Sequence, residues 1–342
     1  MSKPKGLRLG STLFSFTTEY HSRQYSLDQL LEQVAKRGVG PGVEIVGFSS
    51  IRDFPRISDE FAAHFRNLIA KLGLEPSCLS INADVFLRPA QPMTVEESLA
   101  YHVAQVETAA KLGFPVARYQ FLAGTEVIRK LLPIAERLNV KLGLEIHAPH
   151  KVDSPEVMEY REMYAKENSP FLGFIPDFGA SSTAISPAYL RFVRKLGMPE
   201  GLIAIVQEVW QAPDDPANPR GKHELLDAKA KLAGFGNENL TECHMAIGLF
   251  SRQDPRRWLE IMPQIVHIHG KFHDIDENGE VPGIPYDVLL PLFVEAGYNG
   301  YMSSEWEGHF FSDDPGFPMV EAHHALCTKI LAKCLVGASA QN

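Results

Sequence analysis

Short apolar runs, each about the length of a buried strand, alternate along the chain with segments in which apolar residues recur every three or four positions. The first such segment places Leu27, Leu30 and Val34 on one face, and it begins at Ser26-Leu27-Asp28-Gln29, a capping-box sequence. We predict strands at residues 7–14, 43–47, 77–83, 116–121, 141–147, 171–177, 265–271 and 301–307. Helical segments separate these strands.

Eight strands that alternate with helices predict an α/β fold, the (β/α)8 TIM barrel. A doubly wound open sheet is the rival, but no G-x-G-x-x-G follows the first strand. We expect a single barrel domain over residues 1–342, with a long insertion between strands 6 and 7 at about 199–263. Asp177 and His269 are 92 positions apart, against 32 from Glu145 to Asp177. Loops that follow the strands build the active-site face of such barrels, so the insertion is expected at that face.

Composition and charge favour an enzyme of the cytoplasm. The formal net charge of −9 argues against nucleic acid as the main partner, and a metal-dependent repair endonuclease is disfavoured for the same reason. No run is continuously apolar over the ~18 residues of a membrane span. Arg8 interrupts the first apolar run, so no signal peptide is expected. The four cysteines lack CxxC or zinc-ribbon spacing, which argues against disulfides and structural zinc.

Polar residues recur late in the predicted strands, at positions of the same parity. On the fifth strand Glu145 and His147 share one face, whereas Leu144 and Ile146 share the other. The polar residues at the ends of the third to eighth strands are Asn82, Arg118, Gln120, Glu145, His147, Asp177, His267, His269, Lys271, Glu305 and Glu307. Because the reacting groups of such barrels come from these strand ends, we expect these side chains in one cavity.

Three carboxylates and an imidazole in this set cannot stay ionised and close together without a cation between them. Oxygen-rich ligands with one imidazole suit Mn²⁺, with Mg²⁺, Co²⁺ or Fe²⁺ as alternatives. We expect one such ion on four residues, Glu145, Asp177, His269 and Glu305. A metal-free network of ion pairs with Arg118 and Lys271 is the alternative, and both interpretations stay open.

Four short motifs carry a family resemblance: Leu-Glu145-Ile-His147, Pro-Asp177-Phe-Gly179, His267-Ile-His269-Gly-Lys271 and Ser-Glu305-Trp-Glu307. Together they resemble the sugar isomerase/epimerase superfamily of xylose-isomerase-like barrels, over most of the chain from Leu7 to about His309. Within that superfamily, the motifs of the fifth, seventh and eighth strands look most like the catalytic alpha subunit of bacterial C-glycoside deglycosidases. This resemblance implies a Mn²⁺-like ion, a histidine base beside the first ligand, and a small beta subunit as partner.

The chemistry that the resemblance implies is proton abstraction next to a sugar carbonyl. A metal on the sugar oxygens stabilises the enolate that forms when a base, expected to be His147, removes the neighbouring proton. In a 3-oxo C-glycoside this enolate expels the C1 aglycone by β-elimination. Lys271 and Glu307 are expected to orient sugar hydroxyls. Further residues expected to contact the substrate are Asn82, Arg118, Gln120, His267 and His309.

A sugar isomerase or epimerase, acting on a ketose or a sugar phosphate, is the alternative function, because it shares the first half of this reaction. The long insertion favours the deglycosidase, since an aromatic aglycone needs a wider cavity mouth. The insertion is also expected to supply an apolar docking surface for the second subunit. That surface would consist of Leu202, Ile203, Ile205, Val206, Val209 and Trp210.

Overall fold

The computed structural model describes residues 6–83, 91–215 and 218–339. Within these ranges, eight strands alternate with helices, in the predicted order. The strands are β1 (Arg8–Thr12), β2 (Gly42–Val46), β3 (Glu75–Ser80), β4 (Val116–Tyr119), β5 (Lys141–Ile146), β6 (Leu172–Pro176), β7 (Ile268–Phe272) and β8 (Tyr301–Trp306). Residues 1–5, where no signal peptide is expected, and residues 216–217 of the predicted insertion lie outside the described ranges.

Helices occupy the connections between the strands. The α-helices are α1 (Thr17–His21), α2 (Leu27–Arg37), α3 (Gly47–Ser50), α4 (Asp59–Leu72), α5 (Val95–Leu112), α6 (Thr125–Leu138), α7 (Pro155–Glu167), α8 (Pro187–Lys195), α9 (Glu200–Gln211), α10 (Gly221–Leu232), α11 (Leu240–Leu249), α12 (Tyr286–Glu295) and α13 (Gly316–Ser339). Short 3₁₀ helices span Leu13–Phe16, Phe121–Ala123, Phe178–Ala180, Pro255–Gln264 and Gly308–Phe310.

Local sequence signals set the helix ends. At the start of α2 the Ser26 hydroxyl accepts from the Gln29 backbone N–H, and the Gln29 side chain accepts from the Ser26 N–H, which is the predicted capping box. Thr94 and Glu97 form the same arrangement before α5. Gly38 ends α2 with φ +70°, a left-handed conformation that glycine adopts without steric cost.

The strands form one parallel sheet that closes on itself. Hydrogen-bonded neighbours follow the order β6-β5-β4-β3-β2-β1-β8-β7. The two ends of this order meet through parallel bridges between Phe174 and Ile265 and between Asp177 and His269. The sheet is therefore a nearly closed eight-stranded barrel, and the predicted (β/α)8 fold is confirmed.

The segment between β6 and β7 contains α8 to α11 and builds a second hydrophobic core beside the barrel. Trp210 is 2% exposed, and its indole N–H donates to the Phe250 carbonyl at 2.8 Å. The expected docking surface on this segment is wrong, because its side chains pack against α10 and α11 instead of facing solvent. Five of its six residues are buried, namely Leu202, Ile203, Val206, Val209 and Trp210, and Ile205 is half-buried. That residues 199–263 are an insertion stays a prediction.

Two adjacent histidines attach the long helix α13 to the barrel. His323 stacks on Phe272 with a centroid distance of 4.2 Å, and its Nδ1 is 2.7 Å from the Ser304 hydroxyl. His324 Nε2 donates to the Gly10 carbonyl at 3.1 Å. Burial lowers the pKa of His324 to about 4 and holds the pKa of His323 well below its ordinary value. Both imidazoles therefore pack as neutral rings.

These neutral histidines predict that acid destabilises the fold. A folded-state pKa of about 4 for His324 lies below the unfolded value, so the unfolded chain takes up the proton first as the pH falls below about 6.5. The free energy of unfolding should fall by about 2 kcal/mol from this residue alone between about pH 7 and about pH 5. Denaturant unfolding at the two pH values measures the loss.

The matched variants are His324→Gln, which removes the titration but keeps a side-chain N–H donor, and His64→Gln at an exposed histidine. We expect His324→Gln to lose clearly less stability on acidification, and His64→Gln to keep most of the pH dependence. An unchanged pH dependence in His324→Gln would contradict the assignment.

Candidate metal centre and active site

A cavity of about 470 Å³ opens at the carboxyl ends of the barrel strands. Its polar lining consists of Asn82, Arg118, Gln120, Glu145, His147, Asp177, Lys271, Glu305 and Glu307. Its apolar lining includes Phe14, Val46, Phe48, Leu249 and Phe310. Nine of the twelve residues predicted from the sequence thus share one cavity.

Regular pairing between the strands brings the four predicted metal ligands together. Asp177 and His269 are opposite each other across the β6–β7 bridge, and Lys271 pairs with Glu305 across β7 and β8. Glu145, Asp177, His269 and Glu305 are all buried, and each offers one ligand atom within 4.8 Å of the other three. The arrangement could therefore hold a divalent ion.

His269 lies at the centre of the carboxylates. Its Nδ1 is 2.7 Å from Glu145 Oε1 and 3.4 Å from Glu305 Oε2, and its Nε2 is 2.9 Å from Glu44 Oε1. Burial disfavours the imidazolium, but Glu305, Glu44 and Glu145 together raise the pKa of His269 well above its usual range. Without a bound ion, His269 would therefore be one of the cations that neutralise the cluster.

Lys271 is the second cation. Its Nζ lies 2.7 Å from Asp177 Oδ2, 3.0 Å from Glu307 Oε1 and 3.5 Å from Glu305 Oε2. Burial opposes its charge, but these three carboxylates raise the pKa of Lys271 well above its ordinary value. Gly179 leaves space for the aliphatic part of the Lys271 side chain, since a Cβ at position 179 would lie 2.9 Å from Lys271 Cδ and 3.0 Å from Asp177 Oδ1.

Arg118 and Gln120 hold the outer oxygen of Glu145. The Arg118 guanidinium is 3.0 Å from Glu145 Oε2, and the Gln120 amide donates to the same atom at 3.3 Å. Burial works against ionisation of Glu145, but Arg118, His147 and His269 hold its pKa well below the usual range. Asn82 lines the same side of the cavity and accepts from the Tyr101 hydroxyl at 3.0 Å.

The surroundings of Glu305 indicate whether a cation fits among these groups. Its Oε2 is buried and accepts no hydrogen bond from the described part of the chain, although His269 and Lys271 lie at 3.4 and 3.5 Å. Burial raises the pKa of Glu305 to about 7, against the opposing effect of those two cations. A buried carboxylate oxygen in this position lacks a ligand, and three carboxylates with one imidazole suit a divalent ion such as Mn²⁺.

His147 lies beside this cluster, at the edge of the cavity. Its Nδ1 donates to the Ala148 carbonyl at 2.6 Å, which leaves Nε2 as the basic nitrogen of the neutral ring. Nε2 is 3.9 Å from Glu145 Oε2, and the side chain keeps 29% of its surface exposed. The His150 ring lies parallel to it at 6.2 Å. His147 is therefore accessible and adjacent to Glu145.

Two residues that we expected to contact the substrate lie elsewhere. His267 is 1% exposed and does not line the cavity; its Nε2 is 3.1 Å from Glu44 Oε2 and 2.9 Å from the Ser303 hydroxyl. His267 lies two residues before His269 and immediately before β7, so it is one layer deeper in the barrel. His309 is half-buried between Phe14 and Phe310, with Nδ1 3.0 Å from the Trp306 carbonyl. His267 therefore lies below the described cavity lining, whereas His309 packs between two residues of that lining, and the expected contacts of both with substrate stay predictions.

Other residues of the site were absent from the sequence prediction. Glu44, buried beneath the cluster, continues the alternation of β2, and His273 extends the alternation of β7 to within 3.8 Å of Glu307. Parity therefore offered a signal for both. Phe48 lies in the short helix α3 after β2, and Phe310 lies in the 3₁₀ helix after β8, where strand periodicity gives no information. These two side chains are 52% and 51% exposed at the cavity mouth.

Comparison with known proteins agrees with the fold. The family model of the xylose isomerase-like TIM barrel matches residues 31–326, so the chain belongs to this family. The 3'-dehydrocarminate deglycosidase alpha subunit of Microbacterium sp. is 40% identical, over 95% of this chain and 96% of that protein. A C-glycoside deglycosidase alpha subunit of Arthrobacter globiformis is 37% identical, over 96% and 94%.

Among solved structures, L-ribulose 3-epimerase superposes with a TM-score of 0.57 at 12% identity, over 98% of each chain. At this identity the likeness concerns the fold alone. In the described ranges, no helix combines the length and the apolar character that a membrane crossing needs.

The cluster predicts that the purified protein binds about one divalent ion per chain. Replacement of a predicted ligand, in Asp177→Ala or Glu305→Ala, should abolish the high-affinity site, because each contributes one of four donor atoms. Metal analysis and Mn²⁺ titration measure the effect. Both variants should fold, since loss of one carboxylate lowers the repulsion in the ion-free cluster. Full metal content in either variant would contradict the ligand set.

Proposed function

We propose that this member of the xylose isomerase-like TIM barrel family is the catalytic subunit of a metal-dependent C-glycoside deglycosidase, a carbon–carbon lyase that acts on 3-oxo C-glycosides. The observation that carries the proposal is the accessible basic nitrogen of His147 beside the cluster of Glu145, Asp177, His269 and Glu305. The two relatives described above, both named as deglycosidase alpha subunits, support it.

The cavity has separate polar and apolar parts, which fit the two halves of a C-glycoside. The carboxylates, Lys271 and Arg118 are buried at its base and suit the hydroxyls and keto group of a sugar. Phe48 and Phe310 extend from the short helices after β2 and β8 at its mouth, and Leu249 at the end of α11 lies on the same cavity. An aromatic aglycone placed at the mouth would contact these apolar side chains.

In the proposed reaction, His147 Nε2 removes the proton from sugar carbon C2, next to the C3 keto group. A divalent ion held by Glu145, Asp177, His269 and Glu305 would supply Lewis-acid stabilisation of the negative charge on the keto oxygen. Lys271 and Glu307 hold the sugar hydroxyls in place, since their 3.0 Å ion pair lies on the cavity wall.

The remaining step breaks the carbon–carbon bond. The electron pair left at C2 forms the C1=C2 double bond while the bond from C1 to the aglycone breaks. The aglycone leaves with the electron pair of that broken bond. The aglycone carbon then needs one proton. Removal of the C2 proton has left one proton on His147, so the proton count closes within the site.

We further propose a small second subunit as partner. Both relatives described above are named as alpha subunits. Because the apolar residues of α9 are buried, we assign no docking surface to that helix.

The role of His147 predicts that binding of metal and turnover separate in a variant. His147→Gln should keep its metal, because the ligand atoms belong to other residues, and should lose ~10²–10⁴-fold in turnover, the usual effect of removing a general base. Metal analysis and aglycone release are measured on the same sample. His150→Gln is the matched control, since its ring lies parallel to His147 but is absent from the cavity lining. Parallel loss of metal and activity in His147→Gln would make His147 a ligand.

The function itself is tested by offering two substrates with Mn²⁺, in the presence and absence of the second subunit. We expect release of the aglycone from a 3-oxo C-glucoside, with better turnover when the partner is present. A free ketohexose should at most exchange its α-proton with solvent deuterium. Aglycone release and epimer formation are followed by chromatography. Rapid epimerisation of the ketose without any aglycone release would identify the protein as a sugar epimerase.

A further inference from the structure

Beneath the four predicted ligands, a second layer of buried polar side chains crosses the barrel. Glu44 on β2 is 1% exposed, and His267, immediately before β7, is 1% exposed. Ser80 on β3 and Ser303 on β8 are fully buried in the same layer. Among the described residues that line the cavity, none of these four appears, so the layer touches the ligands and not the substrate space.

The Glu44 carboxylate uses both oxygens in this layer. Oε1 lies 2.9 Å from His269 Nε2 and accepts from the Ser80 hydroxyl at 2.8 Å. Oε2 lies 3.1 Å from His267 Nε2, which is also 2.9 Å from the Ser303 hydroxyl. Each carboxylate oxygen therefore faces one ring nitrogen at hydrogen-bonding distance, and Oε1 accepts from Ser80 as well. In this geometry the Nε2 atom of His269 is the donor to Glu44.

This hydrogen bond decides which nitrogen of His269 faces the metal site. With the proton on Nε2 directed at Glu44, the ring presents Nδ1 to Glu145 Oε1 and Glu305 Oε2, at 2.7 and 3.4 Å. We infer that Glu44 is a positioning residue, which fixes the tautomer and orientation of His269 so that its Nδ1 can bind the metal. The inference rests on the proposed metal centre. Carboxylates that accept from the second nitrogen of a ligand histidine have this effect in many metal sites.

His267 takes its role from the same contact. His267 contacts Oε2 of Glu44 and Ser80 donates to Oε1, so together they fix the plane of the carboxylate that accepts the hydrogen bond from His269. The motif His267-Ile-His269 thus supplies one ligand and one support for that ligand, separated by the two-residue period of a strand.

The competing interpretation is a second ion, because Glu44, His267 and His269 also have ligand atoms within 4.8 Å of one another. A metal there would need both Nε2 atoms without their protons. The contacts favour hydrogen bonds instead, since each Glu44 oxygen already faces one ring nitrogen at hydrogen-bonding distance in a layer away from the cavity.

The test compares Mn²⁺ binding by the purified unaltered protein with that of Glu44→Gln, by electron paramagnetic resonance of the free ion. The amide has nearly the same shape but no charge, so its hold on the His269 ring is weaker. We expect a dissociation constant ~10–100-fold higher, with one ion still bound at saturation. With Co²⁺ in place of Mn²⁺, the visible absorption spectrum of the variant should differ from that of the unaltered protein, because the orientation of the imidazole ligand is altered.

Glu19→Gln is the matched control. Glu19 is also a buried carboxylate, 3% exposed, but it accepts from the Gly316 backbone N–H at 2.6 Å, outside the metal centre. It should bind Mn²⁺ as the unaltered protein does. If Glu44→Gln fails to fold, Glu44→Asp replaces it, because the shorter side chain keeps the charge but loses reach to His269, and the same rise in dissociation constant is expected.

The outcomes separate this inference from the function. Unchanged Mn²⁺ affinity in the Glu44 variant overturns the positioning role and leaves the proposed function in place. Two ions in the unaltered protein and one in Glu44→Gln overturn it in favour of a second metal site. Absence of Mn²⁺ binding by the unaltered protein overturns both the metal centre and the role of Glu44.

Discussion

The compensation of buried negative charge is the constraint on which the mouth of this barrel depends. Glu145, Asp177, Glu305 and Glu307 converge within one cavity, where low water access makes their mutual repulsion strong. Arg118, Lys271 and His269 offset part of that charge, as their short contacts with the carboxylates indicate. Removing Lys271 would leave the buried carboxylate of Asp177 without its cation, a change that typically destabilises a protein strongly. The stability of this end of the barrel therefore depends on the pairing of its buried charges.

The compensation is weakest at Glu305, whose pKa is raised to about 7 by burial. The cations beside its Oε2, His269 and Lys271, lie at 3.4 and 3.5 Å, and this oxygen accepts no hydrogen bond from the described part of the chain. The two interpretations of the sequence, a metal centre and an ion-pair network, are consequently compatible. The ion pairs hold the carboxylates in place without the metal. The second proton of His269 then helps to neutralise them, and a bound ion would take over that positive charge.

Strand parity explains how much of the site could be predicted from the sequence. Glu145 and Lys271 lie late in strands where polar and apolar residues alternate, and Asp177 directly follows β6. The parallel pairing of the strands then brings them to one end of the barrel. Parity gives the face of a strand but not the depth along the barrel axis. His267 and His269 have the same parity, yet only His269 belongs to the group of four predicted ligands, and His267 lies one layer deeper beside Glu44.

Helical and loop segments were harder to interpret for a different reason. The apolar face of α9 suggested an exposed docking surface, because sequence does not reveal whether a neighbouring helix covers such a face. In the structure α10 and α11 cover it. Likewise Phe48 and Phe310 follow strand ends in segments without periodicity, and their place at the mouth depends on how the chain turns over the barrel.

The division of the cavity into a charged base and an aromatic mouth bears on why one fold accommodates both isomerisation and elimination. Loss of a proton next to a carbonyl has two outcomes, return of a proton to the carbon or departure of a group from the neighbouring carbon. In the proposed function, groups at the base, such as His147 and Lys271, would act at the sugar and would be equally suitable for both. Groups at the mouth would distinguish the two, because departure requires that a leaving group be bound there in the first place. The apolar side chains available for this in the described cavity include Phe48, Phe310 and Leu249, which come from three separate connections of the barrel.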